Sequence, residues 1–410
     1  MYSFTMFRAW RLRATATFGR LSRRHRTVAL ATTGALALGA AVWALNPPED
    51  RRRPHRGAPA VQEGTGPGPT HTPDSATGFG LAPTTRAPRP SPTAPPAANH
   101  CQVGLKLVPS CGVLWGVAPG AHTPERGPAA LAAFERRTGR VQDLYHGYHR
   151  GQHEMFPTPA ELAIARGPRV LFLNWKPTGA SWARIARGHR PTDDYLDRLS
   201  RHLRAHHRAQ MFFTVHHEPE DDVRPRRGSG YTARDYAAMY RHVINRLRAR
   251  GVDNLVTVLV HMAYPRLTSM HWFGDLYPGD DVVDWIGFDA YAYSTPGYGY
   301  GDFAELVNRR STRTGWPGFY TWASIRHPEK PLMVAEWGVW HSKANASHQA
   351  ALFRSVAAQI SRFPKIKALV YFDTPSDQRG RDSRVERTTI GLDAFRDLGN
   401  HPAFTVRLTS

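Results

Sequence analysis

The most regular feature of the chain is a series of short apolar segments that alternate with amphipathic segments between residues 101 and 410. The apolar segments are rich in β-branched and aromatic residues, which indicates strands. Near-continuous hydrophobicity is typical of parallel strands that helices cover. The pattern predicts eight strands, which begin near Cys111, Val141, Arg169, Ala209, Asn254, Val282, Lys330 and Lys367.

The segments between these strands have the periodicity of helices. The clearest helix follows Thr232, a residue type that caps helix N-termini, and ends at Gly251, which suits a helix C-terminus. Strands that alternate with helices predict an α/β fold, and eight of them predict a (β/α)8 TIM barrel over residues 101–410. A doubly wound open sheet is the main rival, but no predicted strand leads into a glycine-rich phosphate loop.

The first hundred residues have a different composition. Residues 1–26 contain arginines and no acid, and residues 27–45 are an uncharged, largely apolar run. This order predicts an exported chain with a basic cytoplasmic n-region. The run is either an uncleaved transmembrane anchor, which we favour, or a signal segment cleaved near Val42–Ala44. Residues 46–100 are rich in proline, glycine and threonine, and we expect a disordered linker there.

The two cysteines, Cys101 and Cys111, lie close together where the linker meets the predicted barrel. In an exported protein this arrangement predicts a disulfide, with two free thiols as the alternative. The predicted compartments are therefore the membrane for residues 27–45 and the outside of the cell for the catalytic domain, either anchored or secreted.

The net charge of +21 raises the hypothesis that the protein binds nucleic acid. Residues 1–100 hold 13 basic and 4 acidic residues, so only +12 belongs to residues 101–410. That excess is scattered and carries no RNA-binding or zinc-finger signature, so we expect no nucleic-acid partner. A basic exported protein is instead attracted to acidic envelope polymers and lipid head groups, although arginine-rich codon usage explains the composition equally well.

The strand ends carry the candidate chemistry. Catalytic residues of such barrels lie at the C-terminal ends of strands, and strands four and seven end on Glu218 and Glu336. Two facing carboxyls are what a retaining glycosidase requires, one as nucleophile and one as acid/base. We assign Glu218 as the acid/base and Glu336 as the nucleophile, with Tyr291 and His217 as hydrogen-bond donors. Other strand-end candidates for substrate binding are Asp289, His149 and Trp175.

Metal binding by His216, His217 and Glu218 is the rival interpretation of the fourth strand end. Adjacent residues on a strand point to opposite faces, and the HExxH spacing of zinc peptidases is absent. We therefore expect neither a metal nor an organic cofactor. A single glutamate paired with one of the many arginines is also a common structural feature, but two glutamates at these strand ends favour catalysis.

Three segments give the chain a resemblance to a known family. HHEP at 216–219, YPGDDVVDWIGFDAY at 277–291 and KPLMVAEWG at 330–338 resemble glycoside hydrolase family 26, a family of retaining glycosidases with (β/α)8 barrels. The resemblance implies endo-acting hydrolysis of a β-linked polysaccharide, most often a β-1,4-mannan, less often a β-glucan or a β-1,3-xylan. It also implies that His217 precedes the acid/base, that Tyr291 contacts the nucleophile and that Trp175 lies near the cleavage point.

The chain departs from the family after the acid/base. Family mannanases continue with an asparagine-glycine and tryptophan-rich stretch, whereas this chain has PEDDVRPRRGSG, and its eighth strand lacks a tryptophan. The sequence therefore predicts no single sugar as the substrate unit. Trp337, Trp340 and three further tryptophans are candidate stacking surfaces, although each alone is more typical of barrel packing. We expect a monomer, and the alternative function is a non-catalytic glycan-binding envelope protein on the same barrel.

Overall fold

The computed structural model of the protein describes residues 101–295, 301–377, 379–406 and 408. Eight parallel strands form a closed barrel in sequence order, which confirms the predicted (β/α)8 architecture and each predicted strand. The strands are β1 Leu114–Pro119, β2 Leu144–Arg150, β3 Val170–Lys176, β4 Met211–Val215, β5 Leu255–Met262, β6 Trp285–Tyr293, β7 Leu332–Trp340 and β8 Ile366–Asp373.

Helices surround the strands as expected. In the described part of the chain they are α1 Pro128–Thr138, α2 Pro159–Ala165, α3 Trp182–Ala186, α4 Arg190–His206, α5 Ala233–Ala249, α6 Pro265–Thr268, α7 Phe303–Asn308, α8 Phe319–Arg326, α9 His348–Gln359 and α10 Thr389–Gly399. Helix α5 begins at the predicted cap, because the Thr232 side chain and the Asp235 side chain accept from each other's backbone N–H groups.

The predicted n-region, apolar segment and linker at 1–26, 27–45 and 46–100 lie outside the described residues. None of the helices in the described residues is long and apolar enough to cross a membrane.

The core has two concentric layers. The inner layer fills the barrel with strand side chains such as Leu144, Phe172, Phe212, Trp285 and Met333. The larger outer layer packs the other faces of the strands against the helices. Both faces of each strand are therefore apolar over much of their length, which is why the strand segments lack a clear alternation of polar and apolar residues.

A short hairpin closes the N-terminal end of the barrel. Cys101 and Cys111 form the predicted disulfide at its base. Leu107 is buried with the inner layer, the Trp285 indole donates a hydrogen bond to the Lys106 carbonyl, and Lys106 pairs with Asp284 at 2.8 Å. The opposite end, where the strand C-termini meet, is left for the site.

A β-bulge in β7 decides the direction of one important side chain. Met333 and Ala335 belong to the inner layer, and simple alternation would then point Glu336 outward. The pairing with β6 shifts by one residue between Phe288 and Asp289, so that Asp289 pairs with Glu336. The extra residue reverses the alternation and turns Glu336 toward the barrel axis.

Candidate active site

Glu218 lies on a sharp turn directly after β4. His216 and Glu218 both have left-handed backbones, with φ of 54° and 52°, which is uncommon for residues other than glycine. Two neighbouring strands hold the turn: the His217 N–H donates to Asn174 Oδ1 at 3.2 Å, and the Glu218 N–H donates to the Val260 carbonyl at 3.1 Å. This strained and anchored backbone fixes the direction of the Glu218 side chain.

His216 does not face the barrel mouth. Its Nδ1 accepts a hydrogen bond from the Trp182 indole at 3.1 Å, and its Nε2 lies 2.9 Å from Asp222 Oδ2. Because Nδ1 is an acceptor, the proton is on Nε2 and is donated to Asp222. Burial lowers the pKa of His216, which keeps the ring neutral. Hydrogen bonds from His216 and Lys176 hold the pKa of Asp222 well below its usual range.

The buried pair of Glu220 and His261 also supports this turn. Glu220 Oε1 lies 2.6 Å from His261 Nδ1, and Glu220 Oε2 accepts from the Met262 N–H at 3.2 Å. Both side chains are almost completely buried, and the His261 ring packs on Phe273. Sequence analysis missed Glu220, Asp222 and His261, although the acidic PEDD segment after Glu218 was the signal that could have identified the first two.

Glu336 is held by hydroxyl donors at both oxygens. Tyr148 donates to Oε1 at 2.7 Å and Tyr291 donates to Oε2 at 2.6 Å, while His217 Nε2 lies 3.5 Å from Oε1. Burial raises the pKa of Glu336 to about 7, and the two tyrosine hydrogen bonds oppose that rise. Tyr148 directly precedes the strand-end candidate His149, and its contact with the Glu336 carboxylate depends on closure of the barrel.

Glu218 has a different environment. In the described part of the chain its carboxyl group has no hydrogen-bond partner, and burial followed by the charge of Glu336 raises its pKa well above the usual range. Asp289 is also buried, and neither of its oxygens has a partner among the described residues; burial followed by the same charge raises its pKa. Like charges this close cannot all be present, and the hydroxyl donors favour ionisation at Glu336 over Glu218.

The side chains of His217, Glu218 and Asp289 form one compact group. One potential ligand atom from each lies within 4.8 Å of the others, which makes this the group among the described residues that could hold a metal ion. It differs from the set considered from the sequence, because His216 is turned away and bound to Trp182. An ion at this position would occupy the Glu218 carboxyl.

The structure brings together five of the eight predicted substrate and catalytic residues. Glu218, Glu336, His217, Tyr291 and Asp289 meet at the C-terminal mouth of the barrel through the contacts described above. Three others lie on outward faces of the strands or in the outer core layer, apart from these five: Trp175, His149 and Trp337.

Each of these three side chains has a structural role. Trp175 is fully buried, donates to the Gly151 carbonyl at 2.7 Å and stacks on Tyr195. His149 lies 2.9 Å from Glu161 of α2. Trp337 follows Glu336 in β7 and therefore points to the opposite face, where it packs on Trp115 with a centroid distance of 6.0 Å.

Aromatic rings line the mouth beside Glu336. Trp340 stacks on Tyr291 at a centroid distance of 4.5 Å, and the Arg381 guanidinium lies 4.3 Å from the Trp340 centroid. Trp340 is only 4% exposed, so it positions Tyr291 more than it offers a surface. On the other side, His122 stacks on Tyr148 at 5.9 Å and packs on Phe372.

Comparison with known proteins gives one family. The profile described as glycosyl hydrolase family 26 matches residues 194–312. Endoglucanase H of Acetivibrio thermocellus is 24% identical over 281 residues, which are 66% of this chain and 29% of that protein. β-1,3-Xylanase TXYA of Vibrio sp. is 33% identical over 64 residues, 16% of this chain and 14% of that protein. The matches thus span less than a third of the length of these curated relatives.

Solved structures agree on the fold. A family 26 β-mannanase from Bacteroides ovatus superposes with a TM-score of 0.50 and 16% identity, over 73% of this chain and 91% of that chain. At this identity the likeness establishes the barrel fold alone.

Proposed function

Because the chain belongs to glycoside hydrolase family 26, we propose that it is a retaining endo-β-glycosidase with Glu218 as general acid/base and Glu336 as nucleophile. The observation that carries this proposal is the contrast between the surroundings of two carboxyls in one mouth. Glu336 receives two hydroxyl hydrogen bonds, which stabilise its ionised form. Glu218 receives none from the described residues and its pKa is raised by burial and by the charge of Glu336.

The first chemical step uses these opposite protonation states. The ionised Glu336 attacks the anomeric carbon while the protonated Glu218 donates its proton to the departing glycosidic oxygen. The bond between the anomeric carbon and that oxygen breaks, and a glycosyl ester forms on Glu336. Tyr148 and Tyr291 hold the carboxylate in place before the attack.

The second step uses the change in charge that the first step causes. Formation of the ester removes the negative charge of Glu336, which is one of the causes of the raised pKa of Glu218. The Glu218 carboxylate is then more stable than before, and it accepts a proton from the attacking water. The ester is hydrolysed, Glu336 leaves as a carboxylate, and Glu218 is protonated again.

The proposed substrate is a β-linked polysaccharide, with a β-1,4-mannan type as the first candidate. The family resemblance supports the mannan. The relatives named endoglucanase H and β-1,3-xylanase TXYA support β-glucan and β-1,3-xylan as the next candidates. The altered segment 219–230 is the reason for testing all three polymers.

We also propose that the enzyme is exported and acts outside the cell. The basic residues 1–26 followed by the apolar residues 27–45 support export, with an anchor favoured over a cleaved signal. A disulfide between Cys101 and Cys111 suits an oxidising compartment. Detection of the full chain in the envelope fraction or in the medium would support this, and confinement to the cytosol would contradict it.

The decisive experiment is proton NMR of the full chain incubated separately with glucomannan, barley β-glucan and β-1,3-xylan. We expect new β-anomeric reducing ends that are absent with Glu336→Ala and unchanged with the remote, exposed control Glu329→Ala. Initial formation of the α-anomer would contradict retention, and no cleavage of any polymer would favour a glycan-binding protein.

A second comparison separates the roles of the two glutamates. Glu218→Ala should retain slow hydrolysis of aryl glycosides with good leaving groups, because these need no protonation, while Glu336→Ala should not. Equal residual activity of the two variants on such substrates would refute the assignment.

A further inference from the structure

A cavity of about 420 Å³ lies at the rim of the barrel mouth, beside the turn that carries Glu218. It is formed by the loop that follows β3 and the loop that follows β4, both of which leave the C-terminal ends of their strands. Its polar lining comes from Ser181, Arg187, Arg227, Ser229, Thr232 and Asp235.

The cavity is physically connected to the catalytic turn. Ser181 and Ala183 flank Trp182, whose indole donates to His216, two residues before Glu218. Trp182 also packs on Tyr231, which is the neighbour of two lining residues, at a centroid distance of 5.3 Å. Because His216 points away from the mouth, the cavity lies on the helix side of the turn that carries Glu218, at the same end of the barrel.

The charge of the cavity is positive. The guanidinium groups of Arg187 and Arg227 are exposed and make no ion pair or side-chain hydrogen bond with any residue in the described ranges. Asp235 is the acidic residue of the lining, and its carboxylate is already engaged by the Thr232 N–H at 2.9 Å and the Thr232 hydroxyl at 2.8 Å. The two guanidinium forks are left for a ligand.

The loop that presents Arg227 is firmly attached to its surroundings. The Ala183 N–H donates to the Gly230 carbonyl at 3.1 Å, and the Arg224 N–H donates to the Tyr231 carbonyl at 2.8 Å. The Arg224 guanidinium also lies 4.8 Å from the Tyr231 ring centroid. Gly230 has φ of 75°, and a Cβ there would lie 2.8 Å from Ser181 Oγ, so glycine permits this close approach.

We propose that this arginine-lined cavity is a subsite for an anionic group on the polysaccharide, so that the enzyme prefers β-linked polymers bearing carboxylate or phosphoryl substituents. The inference rests on the proposed glycosidase function and specifies its substrate class. Guanidinium forks match both anions in geometry and charge. The segment that supplies Arg227, RPRRGSG at 224–230, is basic and follows the turn that carries Glu218.

An anionic group is better placed in this cavity than beside the carboxyl groups of the barrel mouth. The carboxyls of Glu218, Glu336 and Asp289 interact electrostatically in the mouth, and an anion bound directly among them would raise the repulsion further. The cavity instead offers positive charge at the rim, away from the carboxyl cluster. The neutral part of a sugar unit can then occupy the catalytic centre while a neighbouring substituent is bound at the rim.

The test measures equilibrium binding by calorimetry with the full chain carrying Glu336→Ala, so that no probe is consumed. The probes are neutral glucomannan, carboxymethylated glucomannan and phosphorylated glucomannan, each at about 50 mM and about 500 mM salt. The test variant adds Arg187→Gln and Arg227→Gln. The matched control adds Arg208→Gln and Arg354→Gln, two exposed arginines outside the cavity with the same change in charge.

We expect tighter binding of an anionic polymer than of the neutral polymer at low salt. We expect the Arg187 and Arg227 double variant to lose about tenfold in affinity for the anionic polymer, as for two partly exposed ion pairs, with no change for the neutral polymer. A loss confined to carboxymethylated or to phosphorylated glucomannan identifies which anion is recognised. Equal affinity for charged and neutral polymers, or an equal loss in the control variant, would overturn the proposal.

The outcome is separable from that of the proposed function. If the unmodified chain cleaves neutral glucomannan and shows no preference for anionic polymers, the proposed subsite is refuted and the proposed glycosidase activity stands. If anionic polymers bind through Arg187 and Arg227 but neither neutral nor charged polymers are cleaved, the cavity is a binding site and the proposed hydrolase activity is refuted.

Discussion

Removal of the Tyr148 hydroxyl tests how the site controls the ionisation of Glu336. Tyr148 donates to Glu336 Oε1 at 2.7 Å, and burial followed by the charge of Glu336 raises the pKa of Tyr148 so far that it stays a donor across the working range. The ring stacks on His122 and packs on His146 in a tilted arrangement, so Tyr148→Phe retains the packing. The variant removes the hydrogen bond to Glu336 and a 3.1 Å contact between the hydroxyl and His146 Nδ1. The remaining donor is Tyr291 at 2.6 Å.

The size of the effect follows from the energy of that bond. A hydrogen bond to an ionised group contributes about 1.5 to 3 kcal/mol. One pKa unit corresponds to about 1.4 kcal/mol, so loss of the bond raises the pKa of Glu336 by about one to two units. Glu336 is buried and solvent screening is weak. The proposed nucleophile must be ionised to attack, and a pKa of about 7 places the acidic limb of activity near pH 7. Loss of the bond should therefore move this limb to higher pH.

The assay is the pH profile of kcat/KM on glucomannan. For Tyr148→Phe we expect the acidic limb to move upward by about one to two pH units, with activity approaching the parent value at high pH. The control is Tyr195→Phe, which removes a hydroxyl that donates to the Glu154 carbonyl at 2.7 Å, outside the barrel mouth. An acidic limb that stays in place for Tyr148→Phe, or moves equally in the control, would refute this account of Glu336.

Three further predictions concern stability and specificity. Glu220→Ala leaves the buried His261 without its partner, and we expect a loss of about 3 to 5 kcal/mol in urea denaturation; a loss under about 1 kcal/mol would show that the pair is dispensable. Cys101→Ser opens the loop closed with Cys111, and calorimetry should show a loss of about 3 kcal/mol that reducing agent reproduces in the parent. Trp175→Phe should lower thermal stability without changing KM, because the ring is fully buried; a large rise in KM would restore it to the substrate site.

The positions of the strands were predictable because each is a compact apolar segment bounded by helical periodicity. The ends of the strands were predictable for the same reason, and this placed Glu218 and Glu336 at one mouth. The faces of the strands were not predictable. Trp175 and His149 stand at strand ends as expected, yet they point to the helices while their neighbours Asn174 and Tyr148 point to the axis.

The physical reason is that both faces of these strands are buried. A half-exposed strand reveals its inner face by alternating polarity, but a barrel strand packs apolar residues on both sides. The bulge in β7 adds a second difficulty, because it reverses the alternation at Glu336 and sends Trp337 into the outer core. No residue type in VAEWG marks the bulge in advance.

The sequence by itself determined the architecture, the two carboxyls and the family, because hydrophobic periodicity and strand-end chemistry are local properties of the chain. The tertiary structure alone decided what surrounds those carboxyls. Tyr148 reaches Glu336 across 188 positions of the chain, and His261 reaches Glu220 across 41. Such contacts depend on barrel closure and strand register, and through burial and hydrogen bonding they set which glutamate is ionised.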